Sequence, residues 1–568
     1  MTPLRSSLTA LVFLSLAASL SAQSITDFGE TIEVRIINVD VVVTDRAGHP
    51  VPGLTQNDFE IFQSGKKQGI TNFYEFHENP AQVAPVRPAL DPAADAMADV
   101  PPRLRGRKWI VFLDELSLDP FRRNTFLQSL RTFLRKEMTP RDTAMLVSWN
   151  HSLQVVCPFT GDQAVFDQAI SRISNSVTSP GGQLALRRDT QQRLQDLSVA
   201  FSRHGNKATY SDALAEVRAY ADQVNGDLLR TVSAINSVIS SVGGTEGRKI
   251  LILGSQSLPT IPGIEMFHFL DAVKDKFLGG NLHQPVAEGM SYESSGPIQS
   301  IATNANAHDV TLYAVDPGGF ALQGSGIEDR GTADIDFASG ERMAQRISVS
   351  NDRDALKAIA EATGGKALIS SNQLDGIFST IHDDLGSYYS LGYSGSGARQ
   401  DRERRVRVKV RNPAYSVRTR ASLVEKSLES EVREALVSNL MFPSVRNDLG
   451  VLVKKGVAAR GRTERDLILP LQVLIPRDHL TLLPAGETLN GSFTVYVAFE
   501  RRNGAISKVV RQPQQVRMPA ASSYSHVGIT LPTTIDDQTE RISIGVVDDL
   551  SKAIGYATVN IGAPVHIR

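Results

Sequence analysis

At 568 residues the chain is too long for a single core, and three or four domains is the expectation. Its 41% apolar content can furnish cores over most of that length, while a formal charge of -1 gives no overall steering toward nucleic acid or an anionic membrane. The single cysteine, Cys157, excludes an internal disulfide and any cysteine-based metal site, and reads as a small hydrophobe near a strand end.

In chain order, Arg5 precedes an apolar stretch over 8–20, and Ser19-Leu20-Ser21-Ala22 supplies small residues after it. That order predicts a signal peptide over 1–22 and a secreted or periplasmic protein. No later segment approaches the roughly 20 apolar residues of a spanning helix, so the mature chain is expected to have no membrane span. Residues 23–77 read as a small β module. Ile32, Val34 and Ile36 alternate on one phase and Val39, Val41 and Val43 on the other, which predicts a bulge near Ile37-Asn38. Residues 59–62, a turn at Ser64-Gly65-Lys66 and residues 70–76 read as a hairpin. Residues 78–107, rich in Pro and Ala, read as a linker.

From Lys108 the pattern becomes strand, helix, strand. Trp109-Ile110-Val111-Phe112-Leu113 is an unbroken apolar run ending in Asp114, as in a strand buried on both faces of a parallel sheet. Ligands of such sheets bind at the carboxyl ends of the strands, where Asp114 sits. A helix bearing Phe126, Leu130, Phe133 and Leu134 follows, then strands over 143–149 and 153–157 joined by Asn150-His151, which predicts an antiparallel edge hairpin. Long helical stretches occupy 184–201 and 211–242, ahead of further strands over 250–253, 310–316 and 366–370 and the helices between and after them. This alternation predicts a doubly wound α/β domain over 108–387 with a helical insertion. Residues 388–424 read as a β extension, and 425–568 as a C-terminal β-rich domain, a sandwich preceded by a helix. The fold class is therefore multidomain α/β plus β.

These stretches carry a resemblance. Lys108-Trp109-Ile110-Val111-Phe112-Leu113-Asp114, Gly247-Arg248-Lys249, Leu312-Tyr313-Ala314-Val315-Asp316 and Thr363-Gly364-Gly365 stand in the order of a von Willebrand factor A (VWFA) domain. Val41-Val42-Val43-Thr44-Asp45, Leu54-Thr55-Gln56-Asn57-Asp58-Phe59 and Tyr388-Tyr389-Ser390-Leu391-Gly392-Tyr393 extend it, so that the chain resembles the acidobacterial VWFA-related family of exported proteins. The resemblance implies a Rossmann-like binding domain with a metal-ion-dependent adhesion site: Asp-x-Ser-x-Ser after the first strand, a Thr from a later loop and an Asp after the fourth strand, holding Mg²⁺ through oxygen ligands.

The chain departs from that pattern. Leu116 and Leu118 stand at both Ser positions, Ser117 is one residue out of phase, and Gly254-Ser255-Gln256 replaces Ser-Asp-Gly. Asp114, Ser117 and Thr209 are the oxygen donors left as metal candidates, too few to offset the dehydration of the cation, so no cofactor is expected.

The eleven histidines show no metal-ligand spacing, and neither a Gly-x-Ser-x-Gly elbow nor a phosphate-cradling loop is present. Arg405, Arg407, Lys409 and Arg411 alternate with valines, which gives a strand with one basic face: a polyanion or acidic-glycan site, or a solvated face that discourages edge pairing. The expectation is an exported, non-catalytic, adhesion-type binding protein with a degenerate metal site. Its partner would be a protein or a cell-envelope component, not nucleic acid. Two alternatives remain: an enzyme using a carboxylate site at Asp114 and Asp316, and a purely structural envelope protein.

Overall fold

The computed structural model describes residues 36–77, 106–118, 120–176, 182–204, 209–317, 335–369, 374–395, 400–442, 446–461 and 466–561. The leader segment 1–22 and almost all of the linker lie outside them. Four strands open the described chain: β1 (Ile36–Thr44), β2 (Phe59–Gln63), β3 (Lys66–Gln68) and β4 (Ile70–His77). Ser64 and Gly65 take positive φ angles of 48° and 82°, which closes β2 and β3 into a tight hairpin. The partner of β2 in that hairpin is therefore β3, and the expected pairing of 59–62 with 70–76 does not form. Strand β4 leaves for a different sheet.

The α/β domain runs through β5 (Arg107–Asp114), α1 (Pro120–Glu137), β6 (Thr143–Trp149), β7 (Leu153–Thr160), α2 (Gln163–Ser174), α3 (Gly182–His204) and α4 (Tyr210–Val242). It continues through β8 (Arg248–Gly254), α5 (Ile264–Val273), α6 (Pro285–Gly289), α7 (Ser295–Ala307), β9 (Val310–Val315), α8 (Ile335–Ala362), β10 (Ala367–Leu368) and α9 (Leu374–Gly386). The six strands lie in the order β10-β9-β8-β5-β6-β7, parallel except for β7, which runs antiparallel against β6. The strand order turns round between β5 and β8, which is where doubly wound sheets bind ligands.

The unbroken apolar run of β5 is explained by its two covered faces. Trp109, Val111 and Leu113 pack with Phe126, Leu130, Phe133, Ile170 and Ile381 on the α1, α2 and α9 side. Ile110 and Phe112 pack with Ile235, Val238, Ile301 and Ile359 on the α4, α7 and α8 side. Burying each such side chain contributes about 1.5–3 kcal/mol.

Helix α4 has 33 residues. At 1.5 Å per residue that is about 50 Å, roughly twice the length of the seven-residue strands. Its second half covers the sheet. Its first half runs past the sheet and, with α3, α5 and the start of α8, encloses a separate core that includes Tyr210, Val217, Phe267, Phe269, Phe277 and Phe337. Trp149 Nε1, at the carboxyl end of β6, donates to Thr231 Oγ1 at 2.9 Å, so this helical lobe stands beyond the carboxyl ends of the strands. Gly263 starts α5 with a φ of 77°, and a Cβ there would lie 2.6 Å from that of Ala221. Only glycine satisfies both demands.

After α9 the chain returns to its beginning with β11 (Ser387–Ser394), β12 (Glu403–Val410), β13 (Ser416–Arg418) and β14 (Ser422–Val424). These complete two four-stranded sheets, β13-β1-β11-β4 and β14-β12-β2-β3. Val39, Val41, Ile61, Tyr389, Leu391 and Val408 form the core between them. The small β module and the β extension are thus halves of one sandwich, and the α/β domain is inserted between them. The expected bulge at Ile37-Asn38 is absent: β1 pairs with β11 in unbroken register from Ile36 to Val41. Val42 is buried with Val41 and Val43 because both faces of β1 are covered; on the Val42 side, Asp40 meets Arg248 of the α/β domain at 3.7 Å.

The C-terminal part begins with α10 (Leu428–Met441), then β15 (Leu452–Lys455), β16 (Ala459–Arg460), β17 (Asp466–Pro476), β18 (Leu483–Ala485) and β19 (Thr488–Arg501). It ends with β20 (Val510–Pro519), β21 (His526–Asp536), β22 (Thr539–Asp548) and β23 (Ile554–Asn560). One sheet gathers β15, β16 and β21 around β17, and the other gathers β18, β20 and β22 around β19, with β23 paired to β22. They share a core that includes Leu471, Val473, Phe493, Val495, Ile542 and Ile544. Helix α10 covers the outer face of the second sheet and touches the α/β domain, where Gly244 N donates to Ser438 Oγ at 3.0 Å. No helix among the described residues is long and apolar enough to cross a membrane.

Candidate functional site

Strand register places three residues in a row across the turning point of the sheet. Leu113 lies opposite Gly254 and Gly254 opposite Val315, so the next residues, Asp114, Ser255 and Asp316, stand side by side at the strand ends. They fall on the face shared by Phe112, Leu253 and Ala314, the side of α4 and α8.

Asp114 is only 2% exposed. Ser255 Oγ donates to its Oδ2 at 2.7 Å and Leu116 N to its Oδ1 at 3.2 Å. Ser117 Oγ lies 3.2 Å from Ser255 Oγ, donates to the Asp114 carbonyl at 3.3 Å and accepts from Gln256 N at 3.0 Å. Burial pushes the Asp114 carboxyl up to about 6, against the lowering effect of the Ser255 and Ser117 hydrogen bonds.

This donor set does not fit a divalent cation. Both carboxylate oxygens of Asp114 already accept protein hydrogen bonds, and burial disfavours the charge that a cation would need there. Leu116 and Leu118 are buried in the cores on the two faces of the sheet. Ser255 donates a proton where a second carboxylate would have added charge. Of the three metal candidates, Asp114 and Ser117 come together and Thr209 does not. Thr209 caps α4 in a reciprocal pair with Asp212, and lies 22 residues before Thr231 on the same chain. That separation is about 33 Å of helix, far beyond the reach of one ion. Among the described residues no group of three or more His, Cys, Asp or Glu side chains is placed to hold a metal.

The two carboxylates of the alternative, enzymatic reading have different partners. Asp316 faces Arg353 Nε at 3.8 Å, while Asp114 is held by Ser255, which stands between them. Glu115, next to Asp114, is instead paired with the buried Arg123 at 3.0 Å and accepts from Ser148.

Sequence reasoning missed a second carboxyl centre. Asp352 on α8 accepts from Ser257 Oγ at 2.9 Å and from Ser348 Oγ at 3.2 Å. Burial, and then the charge of Glu265, push it up to about 7. Glu265 is itself buried and raised, and accepts from the Tyr220 hydroxyl. The loop that closes over Asp114 is thereby tied to the helical lobe. The spacing of Ser348 and Asp352, one helical turn apart, is the only local signal of this in the sequence. At the rim, Phe121 at the start of α1 is 80% exposed, off the apolar stripe of its helix, and Arg122 donates to the Pro317 carbonyl at 3.4 Å.

No protein-family model matches the chain, and no curated protein matches it. Among solved structures, conserved hypothetical protein BatB from Bacteroides thetaiotaomicron is 13% identical and aligns over 49% of this chain and 99% of its own, with a TM-score of 0.21. The Northeast Structural Genomics Consortium target SoR45 is 14% identical over 22% of this chain and 95% of its own, with a TM-score of 0.15. The β-glucuronidase of Bacteroides uniformis is 10% identical over 30% of this chain and 18% of its own, with a TM-score of 0.13. These overlaps are too loose to define the fold, which rests on the strand order and register given above.

Proposed function

We propose that the chain is an exported, non-catalytic binding protein whose inserted α/β domain is von Willebrand A-like and recognises a protein or cell-envelope partner without a bridging metal ion. The strand order supports the domain assignment: six strands with the first at the centre, the third antiparallel at one edge, and the turning point beside Asp114. One observation carries the functional reading. Where the metal-dependent relatives implied by the resemblance would present an open cation, this chain has a closed set of hydrogen bonds linking Asp114, Ser117 and Ser255. Among the described residues, the side chain of Phe121 is exposed at that rim. The geometry lends no support to paired carboxylate catalysis, since Asp114 and Asp316 are committed to different partners.

The test is binding of the full chain to detergent-solubilised envelope fractions, measured by surface plasmon resonance with and without EDTA. The expected result is binding that EDTA leaves unchanged and that Phe121→Glu weakens at least tenfold. Reproducible hydrolytic turnover lost in Asp114→Ala would overturn the reading.

A further inference from the structure

We propose that the outer face of the β12-β2-β3 sheet is a binding surface for a linear acidic polysaccharide. This surface lies on the two-part sandwich and is independent of the strand-end reading.

Strand β12 is amphipathic with period two. Val406 and Val408 enter the sandwich core, which turns Arg405, Arg407 and Lys409 outward, and Arg411 continues the same phase. Successive outward residues on a strand are about 6.7 Å apart, so the four cations form a nearly straight row about 20 Å long. Among the described residues, β12 pairs with β14 over Glu403–Arg405 and with β2 over Val406–Val410, so the charges of Arg407 and Lys409 also guard a strand edge, a role that accounts for neither Arg405 nor the length of the row. Register adds a cross-row: Arg407 lies opposite Phe62, and Phe62 opposite Lys67.

The carboxylates nearby offset only part of the row. Glu60, opposite Lys409 on this face, binds Lys67 at 2.6 Å, so those two charges cancel within the surface; Asp58 binds Thr55 in the cap of the preceding turn, and Glu403 accepts from Ser422 at 2.6 Å. Among the described residues neither Arg405 nor Arg407 has a carboxylate within ion-pair distance. Like charges set side by side along a strand repel one another. A polymer with regularly spaced anionic groups relieves that repulsion along the whole row.

The aromatic contribution favours a polysaccharide over single-stranded nucleic acid. The Lys409 ammonium sits 5.2 Å from the centroid of the Phe62 ring, and Phe62 is half-buried between strands. That ring is not an open platform on which a base could stack. What remains is a flat, extended, cationic surface, matched to a chain of carboxylated sugar rings.

The experiment uses the full chain and fluorescently labelled polygalacturonate oligomers, followed by anisotropy at increasing salt. Labelled oligodeoxythymidylate and neutral dextran are the comparison probes. The expected result is binding to polygalacturonate that falls steeply with salt. A triple variant, Arg405→Gln with Arg407→Gln and Lys409→Gln, is expected to weaken it at least tenfold. The double variant Arg511→Gln with Arg517→Gln, on the edge strand of the C-terminal sandwich, is expected to stay within twofold of the native chain. Three results would overturn the proposal: no binding at low salt, equal losses in the triple and double variants, or tighter binding to oligodeoxythymidylate than to polygalacturonate. Circular dichroism of the variants checks that these exposed substitutions leave the fold intact.

Discussion

Asp114 is a carboxyl group whose protonation the fold controls, and that has a measurable consequence. Its pKa in the folded chain, about 6, lies above the ordinary value of 3.8. Between those values the native state holds a proton that the unfolded chain releases, so the stability from this group is full below about pH 4 and is lost as pH rises through 6. Asp352, pushed up to about 7, acts in the same direction. Asp114→Asn imitates the protonated form. It is expected to stabilise the α/β domain at pH 8 by about 2–3 kcal/mol and to change little at pH 4. Denaturant titrations at the two pH values measure this through tryptophan fluorescence, because both tryptophans, Trp109 and Trp149, lie in this sheet. An unchanged pH dependence in the variant would contradict the buried-carboxyl account. Leu118, 2% exposed, gives a second test at this scale. Leu118→Ser, a step toward the metal-site pattern, is expected to cost about 3 kcal/mol, because it leaves a cavity and buries a hydroxyl.

At the scale of elements, α4 shows what could be read from the residues and what could not. Its length was legible, as were the buried strands and the antiparallel hairpin at β6 and β7. Thr209 was misread because a hydroxyl just before a helix looks the same in sequence whether it caps that helix or binds a cation. The helix length decides between them by carrying Thr209 into the lobe. Thr209→Ala is expected to lower the stability of the lobe by about 1 kcal/mol through loss of the cap, with no change in the response to Mg²⁺. Hydrogen exchange of the first turn of α4 reads the first effect and calorimetry the second. The closing of the site was half legible. Leu116, Leu118 and Ser255 announced that oxygen ligands were missing, but the hydrogen bond from Ser255 to Asp114 and the tie from Ser257 to Asp352 depend on contacts between residues far apart in sequence, which no local pattern encodes.

For the whole molecule, the sandwich is assembled from the two ends of an inserted domain, and this long-range pairing was invisible in the sequence. Alternation marks a strand but does not name its partner. Strand β11 pairs with β1 on one side and β4 on the other, so a chain lacking 36–77 would expose both of its edges. Such a chain is expected to aggregate, as size-exclusion chromatography would show. The junction with the α/β domain uses Arg248 stacked 4.3 Å from the Tyr388 ring centroid, Arg418 with Asp384, and Arg420 with Asp309. Arg418→Ala would leave Asp384 buried without its cation and is expected to destabilise the molecule by about 3 kcal/mol. The central claim concerns the strand ends that this scaffold holds: a hydrogen-bonded, metal-independent edge. Its most direct test is titration calorimetry of the full chain with Mg²⁺ and Mn²⁺, beside the Asp114→Ala variant. The account predicts no saturable heat from either protein. Saturable binding by the native chain that disappears in Asp114→Ala would contradict it.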